Sequence, residues 1–137
     1  MHIVIDTTDY ISALIGKTHR AKLERIFLNE NIQILADITL LEEISEVAYR
    51  EKFRKYITIE DADEFISSLK RRLKPVVVTS VIDASPDPDD NFILALARDG
   101  MAEYIVTGDK RGLLELGSFE EIPIVRLQAF LDILTLP

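Results

Sequence analysis

The stretch Ile3-Val4-Ile5-Asp6, a short apolar run that ends in an acid, decides how this sequence is expected to fold. A second run of the same kind, Tyr104-Ile105-Val106-Thr107-Gly108-Asp109, lies far along the chain. Continuous apolar runs are typical of strands buried on both faces, as in parallel sheets covered by helices. If the two runs are neighbouring parallel strands, Asp6 and Asp109 meet at one edge of the sheet, where open α/β sheets build their sites. Two carboxylates repel each other there, so the pairing points to a divalent metal ion.

Outward from these runs, strand-like and helix-like patterns alternate. Strands are predicted over residues 2–5, 32–36, 76–78, 104–107 and 122–125, and helices over 9–15, 19–29, 38–53, 61–74, 88–98 and 127–134. Asp9 and Asp37 stand where N-caps of the first and third helices are expected. This order predicts an α/β fold, a three-layer α/β/α sandwich with a central, mostly parallel sheet.

Length and composition limit the kinds of site that the chain can build. Its 137 residues are 47% hydrophobic, as expected of a single domain over residues 1–137 that needs no cross-links. There are no cysteines and only 2 histidines, which excludes thiolate and His-rich zinc sites. Any metal must therefore be held by oxygen. No apolar stretch approaches the roughly 18 residues that span a bilayer, and Asp6 interrupts any signal-like start, so we expect a cytoplasmic protein that does not enter a membrane.

The formal net charge of −8 argues against a protein that simply coats DNA, since such proteins neutralise phosphates with Lys and Arg. The basic residues are nevertheless clustered, and two interpretations stay open: a path for phosphates, or solvated helix faces and helix C-terminal charges. The clusters are Arg20, Lys22 and Arg25; Arg50, Lys52, Arg54 and Lys55; Lys70, Arg71, Arg72 and Lys74; and Lys110 and Arg111.

Asp6 and Glu43 are the first two candidate site acids. An acid after a strand commonly caps the next helix, but Asp9 lies nearer the apolar periodic stretch and is the better predicted cap, which leaves Asp6 free. Glu43 falls at the border of the apolar face that Leu40 and Val47 share on the third helix. It is either a site ligand or a side chain that extends from the rim of a buried face into solvent.

Asp90 and Asp109 complete the candidate set. Asp87-Pro88-Asp89-Asp90 is a good helix start, with Asp87 as N-cap and Pro88 at the first position. Asp90 lies four residues before Leu94 on the inward side of that helix, so it is also a candidate ligand. Asp109 follows Gly108 and is either an ordinary turn residue or the partner of Asp6.

These segments resemble the PIN domain family of Mg²⁺- or Mn²⁺-dependent ribonucleases, and within it the toxins of toxin–antitoxin pairs. The family's opening Asp-Thr-Asn and Ser-Ala-Leu are similar to Asp6-Thr7-Thr8 and Ser12-Ala13-Leu14, its Asp-Pro-Asp-Asp box to Asp87-Pro88-Asp89-Asp90, and its Val-Thr-Gly-Asp to the residues that end at Asp109. Its Glu-Leu helix is similar to the segment around Glu43. Two positions depart from the pattern: Thr8 stands where Asn is usual, and Asp9 where an apolar residue is usual.

The resemblance implies an endoribonuclease in which Asp6, Glu43, Asp90 and Asp109 are the catalytic and metal-binding residues and hold Mg²⁺ or Mn²⁺. It implies RNA as substrate, a small antitoxin protein as partner, and a homodimer. A threonine beside the acids, Thr7, Thr8 or Thr107, could orient a carboxylate.

Other functions fit the residues less well. A receiver-type phosphoacceptor would place a phosphorylated acid at Asp83 and a lysine at Lys110, both poorly positioned. A haloacid-dehalogenase-like phosphatase needs a second Asp two residues after the nucleophile, and this chain has Thr8 at that position. The remaining alternative is a noncatalytic PIN-like domain that binds RNA or a partner, which the changes at Thr8 and Asp9 keep open.

Overall fold

The computed structural model describes residues 1–109 and 111–136, and within them strands and helices alternate along the chain. The strands are β1 (His2–Ile5), β2 (Gln33–Ala36), β3 (Lys74–Pro75), β4 (Tyr104–Val106), β5 (Ser118–Phe119) and β6 (Ile122–Val125). The helices are α1 (Thr7–Ile15), α2 (Lys17–Phe27), α3 (Ile38–Ala48), α4 (Ile59–Arg72), α5 (Asn91–Asp99), α6 (Leu113–Leu116) and α7 (Leu127–Leu134). Short 3-10 turns cover Glu51–Phe53 and Pro88–Asp90.

The sheet has 6 strands in the order β3-β2-β1-β4-β6-β5, and only the β5–β6 pair is antiparallel. The chain builds from β1 outward to β2 and β3, then returns to the other side of β1 with β4. The point where the strand order reverses therefore lies between β1 and β4, which pair in parallel with Ile5 opposite Val106. Ligand sites of open α/β sheets form at such a point, beyond the carboxyl ends of the strands. The premise that the two apolar runs are parallel neighbours is confirmed.

The core lies on both faces of this sheet. Ile3, Val4 and Ile5 of β1 and Ile105 and Val106 of β4 have no exposed surface. A strand buried on both faces has no room for polar alternation, which is why these runs read as continuously apolar. Helices flank the sheet, and the predicted mostly parallel α/β/α sandwich is confirmed.

Two predictions about the elements were wrong in detail, and two small elements were missed. Val76-Val77-Val78 is not a strand: β3 is Lys74–Pro75, and after the bond from Val76 N to Ala36 O the chain runs on without a ladder partner. The helix after Asp37 ends at Ala48 rather than near Phe53. The small elements α6 and β5 were not predicted, since runs of 4 and 2 residues show no periodicity.

Across residues 1–109 and 111–136, no helix combines the length and the apolar character that a membrane crossing requires.

Candidate active site

Asp6 ends β1 at the point where the strand order reverses, and it is held there by its neighbours. Its Oδ1 accepts a hydrogen bond of 2.8 Å from the backbone N of Thr7, so Asp6 is the N-cap of α1. The prediction that Asp9 caps this helix was wrong. The backbone N of Asp9 already bonds to the carbonyl of Asp6 at 3.1 Å, which places Asp9 inside the first turn. Asp6 therefore caps the helix with one carboxylate oxygen, while its other oxygen lies at the sheet edge.

That second oxygen, Oδ2 of Asp6, faces β4. It accepts hydrogen bonds from Oγ1 of Thr107 at 2.8 Å and from Oγ1 of Thr8 at 3.4 Å. Asp6 is only 3% exposed, and burial raises its pKa to about 6, an effect that the Thr107 and Thr7 hydrogen bonds oppose and that the charges of Glu43 and Asp9 reinforce. Burying the ionised form of such an acid costs free energy unless a cation lies near it.

Asp109 is positioned by the turn that follows β4. Its backbone N bonds to Oγ1 of Thr107 at 3.1 Å, so one threonine hydroxyl fixes both this turn and Asp6. Its Oδ1 accepts from the backbone N of Arg111 at 3.2 Å. Oδ2 of Asp109 is left to face the start of α5.

Asp90 meets Asp109 across Gly112. A Cβ atom built on Gly112 would collide with Oδ2 of both acids, so the two oxygens lie around one point and the absence of a side chain at this position makes room for them. This close approach of the two acids is what favours glycine here.

The charge state of Asp90 reflects this crowding. Burial raises the pKa of Asp90 to about 8, and a hydrogen bond to Asp109 together with the charges of Asp6, Asp109 and Asp87 add to the rise. Two carboxylates can share a hydrogen bond only if one of them carries a proton. When both are ionised, Oδ2 of Asp90 is a buried oxygen with no hydrogen-bond donor among the described residues. A shared proton or a nearby cation would therefore stabilise the pair.

Glu43 approaches the site from α3 but is engaged elsewhere. Oγ1 of Thr7 donates a 2.8 Å hydrogen bond to its Oε2. Its charge is close enough to raise the pKa of Asp6. Glu43 therefore lies at the rim of the site.

These four acids have the chemistry of a site for a hard divalent ion. Every atom that could ligate a metal here is a carboxylate oxygen, and Oδ2 of Asp90 is buried without a hydrogen-bond partner. Within the described part of the chain, none of the four acids forms an ion pair with Lys, Arg or His. They are not arranged as a finished cage, however. Within residues 1–109 and 111–136, no three Asp, Glu, His or Cys side chains are placed so that all could ligate one ion. Binding of one ion by three of these acids would require side chains to rotate.

A protein-family model of the PIN domain matches residues 2–111 of the chain. The chain belongs to the PIN domain family. The match begins at β1 and ends just past Asp109, so it contains all four acids. PIN domains are generally nucleases, and they usually use divalent metal ions.

A solved structure supports the fold assignment. The crystal structure of PAE2754 from Pyrobaculum aerophilum is similar to this PIN domain over 98% of the chain and 89% of its own length, with a TM-score of 0.59 at 13% sequence identity. At that identity the likeness concerns the fold. Among proteins of curated function, none matches the chain significantly.

The PIN domain also contains a feature beside the site that its sequence did not reveal. Oδ1 of Asp9 lies 2.8 Å from Nε2 of His19 on α2, and the Asp9 side chain is 4% exposed. Burial raises the pKa of Asp9, while the hydrogen bond and charge of His19 and the charge of Arg126 oppose that rise. The only signal in the sequence was the departure at position 9 from the family's apolar residue, and nothing local connects it to His19.

Proposed function

We propose that this PIN domain is a Mg²⁺- or Mn²⁺-dependent endoribonuclease that hydrolyses phosphodiester bonds in RNA and acts in the cytoplasm as the toxin of a toxin–antitoxin pair. The observation that carries the nuclease proposal is the meeting of Asp90 and Asp109 beside Asp6 at the reversal of strand order, with a buried oxygen left unpartnered. The family match supports hydrolase chemistry. The toxin role, the antitoxin partner and the homodimer have their support in the resemblance of the sequence motifs.

Asp6, Asp90, Asp109 and Glu43 would hold the ion, directly or through water. A bound divalent ion lowers the pKa of water and stabilises the charge that develops on the phosphate. Thr107 fixes the orientation of Asp6 and the turn of Asp109, and Thr7 holds Glu43 at the rim.

The decisive experiment measures cleavage of a labelled single-stranded RNA with Mn²⁺ and with chelator, using the wild-type protein, Asp6→Asn and Asp109→Asn. We expect the wild type to cleave the RNA with Mn²⁺ but not with chelator, and we expect neither Asp6→Asn nor Asp109→Asn to cleave it. Asp89→Asn is the matched control, because Asp89 is an exposed acid next to Asp90 and outside the contact with Asp109. Equal cleavage by the wild type, Asp6→Asn and Asp109→Asn would rule out the metal-site mechanism. The same assay with DNA tests the preference for RNA.

The toxin role has its own test. Induced expression of the wild-type protein should arrest growth of a bacterial host, while Asp6→Asn at the same protein level should not. Growth that is unaffected by an active nuclease would contradict the toxin role and leave the nuclease proposal standing.

A second candidate function is a noncatalytic PIN domain that binds RNA or a partner protein. The observation that favours it is the lack, within the described residues, of three acids placed to share an ion. In that case Mn²⁺ would still raise the melting temperature by binding the folded protein, and the rise would disappear in Asp6→Asn and Asp109→Asn, but no RNA would be cut.

A further inference from the structure

The pair of Asp9 and His19 has no part in the four-acid site, yet it lies directly beside it. Asp9 follows Asp6 by one turn of α1, with its backbone N on the carbonyl of Asp6. A Cβ atom on Gly108 would stand 3.9 Å from Oδ1 of Asp9 and 3.7 Å from Oγ1 of Thr8. The contact between Asp9 and His19 therefore lies against the loop that carries Asp109.

The hydrogen bond to Asp9 decides what His19 can offer to a ligand. Nε2 is occupied by Asp9, while 29% of the His19 side chain is exposed. The ring nitrogen that remains is Nδ1, and in the imidazolium form both nitrogens are donors. Asp9 thus fixes the ring in one orientation, as buried carboxylates do for functional histidines.

Arg126 reaches the same place from the other side of β4. It follows β6, whose Val125 pairs with Val106, and the backbone N of Thr107 bonds to the carbonyl of Val125 at 3.0 Å. Helix α7 begins after Arg126 and packs against α2. Its charge is near enough to act on Asp9. Arg126 is exposed, and within the described part of the chain it forms no ion pair.

Several other arginines are already engaged, unlike Arg126. Arg50 pairs with Glu46, Arg72 with Glu24, and Arg20 donates to the carbonyls of Ala13 and Leu14 at the end of α1. For these residues the interpretation as helix-surface and helix-terminus charges is sufficient. Lys110 lies outside the described residues.

The two flanks of the site consequently differ in sign. On the α5 side, Asp87 and Asp89 are exposed acids that would repel a phosphate. On the β6 side stand His19 and Arg126. We propose that His19 and Arg126 form a phosphate-binding subsite for the RNA strand next to the four-acid pocket, with Asp9 as the positioning residue for His19. This inference rests on the proposed function, and it adds a prediction of the side on which the RNA strand crosses the pocket.

The test measures binding of a fluorescein-labelled oligouridylate by anisotropy at several salt concentrations, with Ca²⁺ present. Arg126→Gln should weaken binding about fivefold at low salt and reduce the slope of log K against log salt by about 0.7, the value for one phosphate contact on a single strand. His19→Gln keeps a donor for Asp9 but leaves only an acceptor facing outward, so it should also weaken binding several-fold.

Matched controls lie at the amino ends of the strands, on the side of the sheet away from the site. His2 begins β1, and Arg71 lines a hollow with Ile32 and Gln33 at the start of β2. His2→Gln and Arg71→Gln make the same chemical changes there and should leave affinity and salt slope as in the wild type. If the site variants bind as the controls do while the wild type binds and cuts RNA, the subsite is overturned and the nuclease proposal stands. If the wild type neither binds nor cuts RNA, both fail together.

The positioning role of Asp9 has a separate readout. Asp9→Asn should weaken RNA binding, but Asp9→Asn combined with His19→Gln should bind no more weakly than His19→Gln alone, because Asp9 acts through the ring. Additive losses would overturn the positioning role. Melting temperatures of all variants verify that each is folded.

Discussion

Oγ1 of Thr107 donates a 2.8 Å hydrogen bond to Oδ2 of Asp6, although 101 positions separate the two residues. The bond joins the carboxyl ends of β1 and β4 where the strand order reverses. The same hydroxyl accepts from the backbone N of Asp109 at 3.1 Å. One buried threonine therefore couples the orientation of both strand-end acids, and the two acids should respond together when it is changed.

Thr107→Val keeps the shape of the side chain and removes this hydroxyl. Asp6 then loses a hydrogen bond that favours its ionised form, and the backbone N of Asp109 loses its acceptor. Since leaving a buried polar group unpaired costs about 1–3 kcal/mol, we expect the free energy of unfolding at pH 8 to fall by about 2 kcal/mol. Urea unfolding measures it. Thr39→Val, at an exposed position of α3, is the control and should change little. Equal stability of the two variants would contradict the coupling.

The strand-end acids were predictable because the signal is local and strong. Ile3-Val4-Ile5 and Ile105-Val106 are buried on both faces, and such strands leave a continuous apolar run in the sequence. The acid after each run then falls at the sheet edge by connectivity alone. Asp90 and Glu43 were harder, because a helix start and a helix rim each have an ordinary structural explanation. Helix geometry indicated Glu43, whereas Asp90 depended mainly on resemblance to the family.

What the sequence did not predict depends on contacts between distant segments. Val76, Val77 and Val78 have the β-propensity of a strand, but propensity describes a side chain's fit to a pleated surface and not the presence of a neighbour. Asp9 matched the composition of an N-cap, whereas its real partner is His19 on the next helix. The meeting of Asp90 with Asp109 across Gly112 also has no local signature.

The raised pKa values predict how stability depends on pH without metal. An acid whose pKa is higher in the folded than in the unfolded protein binds its proton more tightly when folded, so stability falls as pH rises between the two values. For Asp6 that window runs from 3.8 to about 6, and for Asp90 from 3.8 to about 8. Asp90→Asn removes the larger effect. We expect it to raise the free energy of unfolding at pH 8.5 by about 1 kcal/mol, allowing for solvent screening of this partly exposed group, and to change it little at pH 4.

Urea unfolding in chelator at the two pH values measures the difference, and Asp89→Asn is the control. A stability gain for Asp90→Asn that is the same at both pH values would show that Asp90 is not protonated above its ordinary range.

Metal affinity should depend on the same proton. An ion that binds Asp90 must displace the proton that it holds below pH 8, so the dissociation constant for Mn²⁺ should rise by up to about tenfold for each unit by which the pH falls below that value. Calorimetric titration at pH 7 in buffers of different ionisation enthalpy should detect close to one proton released per ion. With Asp90→Asn the release should disappear. A dissociation constant that is independent of pH would mean that Mn²⁺ binds away from Asp90.

Gly112→Ala tests the close approach of Asp90 and Asp109. The new methyl group would collide with Oδ2 of both acids, which are the ends of side chains and can rotate away, so the fold should survive while the acids are pushed apart. We expect a melting temperature close to that of the wild type in chelator, a loss of the Mn²⁺-dependent rise in melting temperature, and cleavage reduced by about a hundredfold or more, because a displacement of about 1 Å at a catalytic group can cost that much. Gly108→Ala is the matched control in the same loop, since its methyl group would meet Thr8 and Asp9 only at ordinary van der Waals distances of 3.7 and 3.9 Å. It should bind Mn²⁺ as the wild type does. If Gly112→Ala also binds and cleaves normally, the paired oxygens are not where the ion is held.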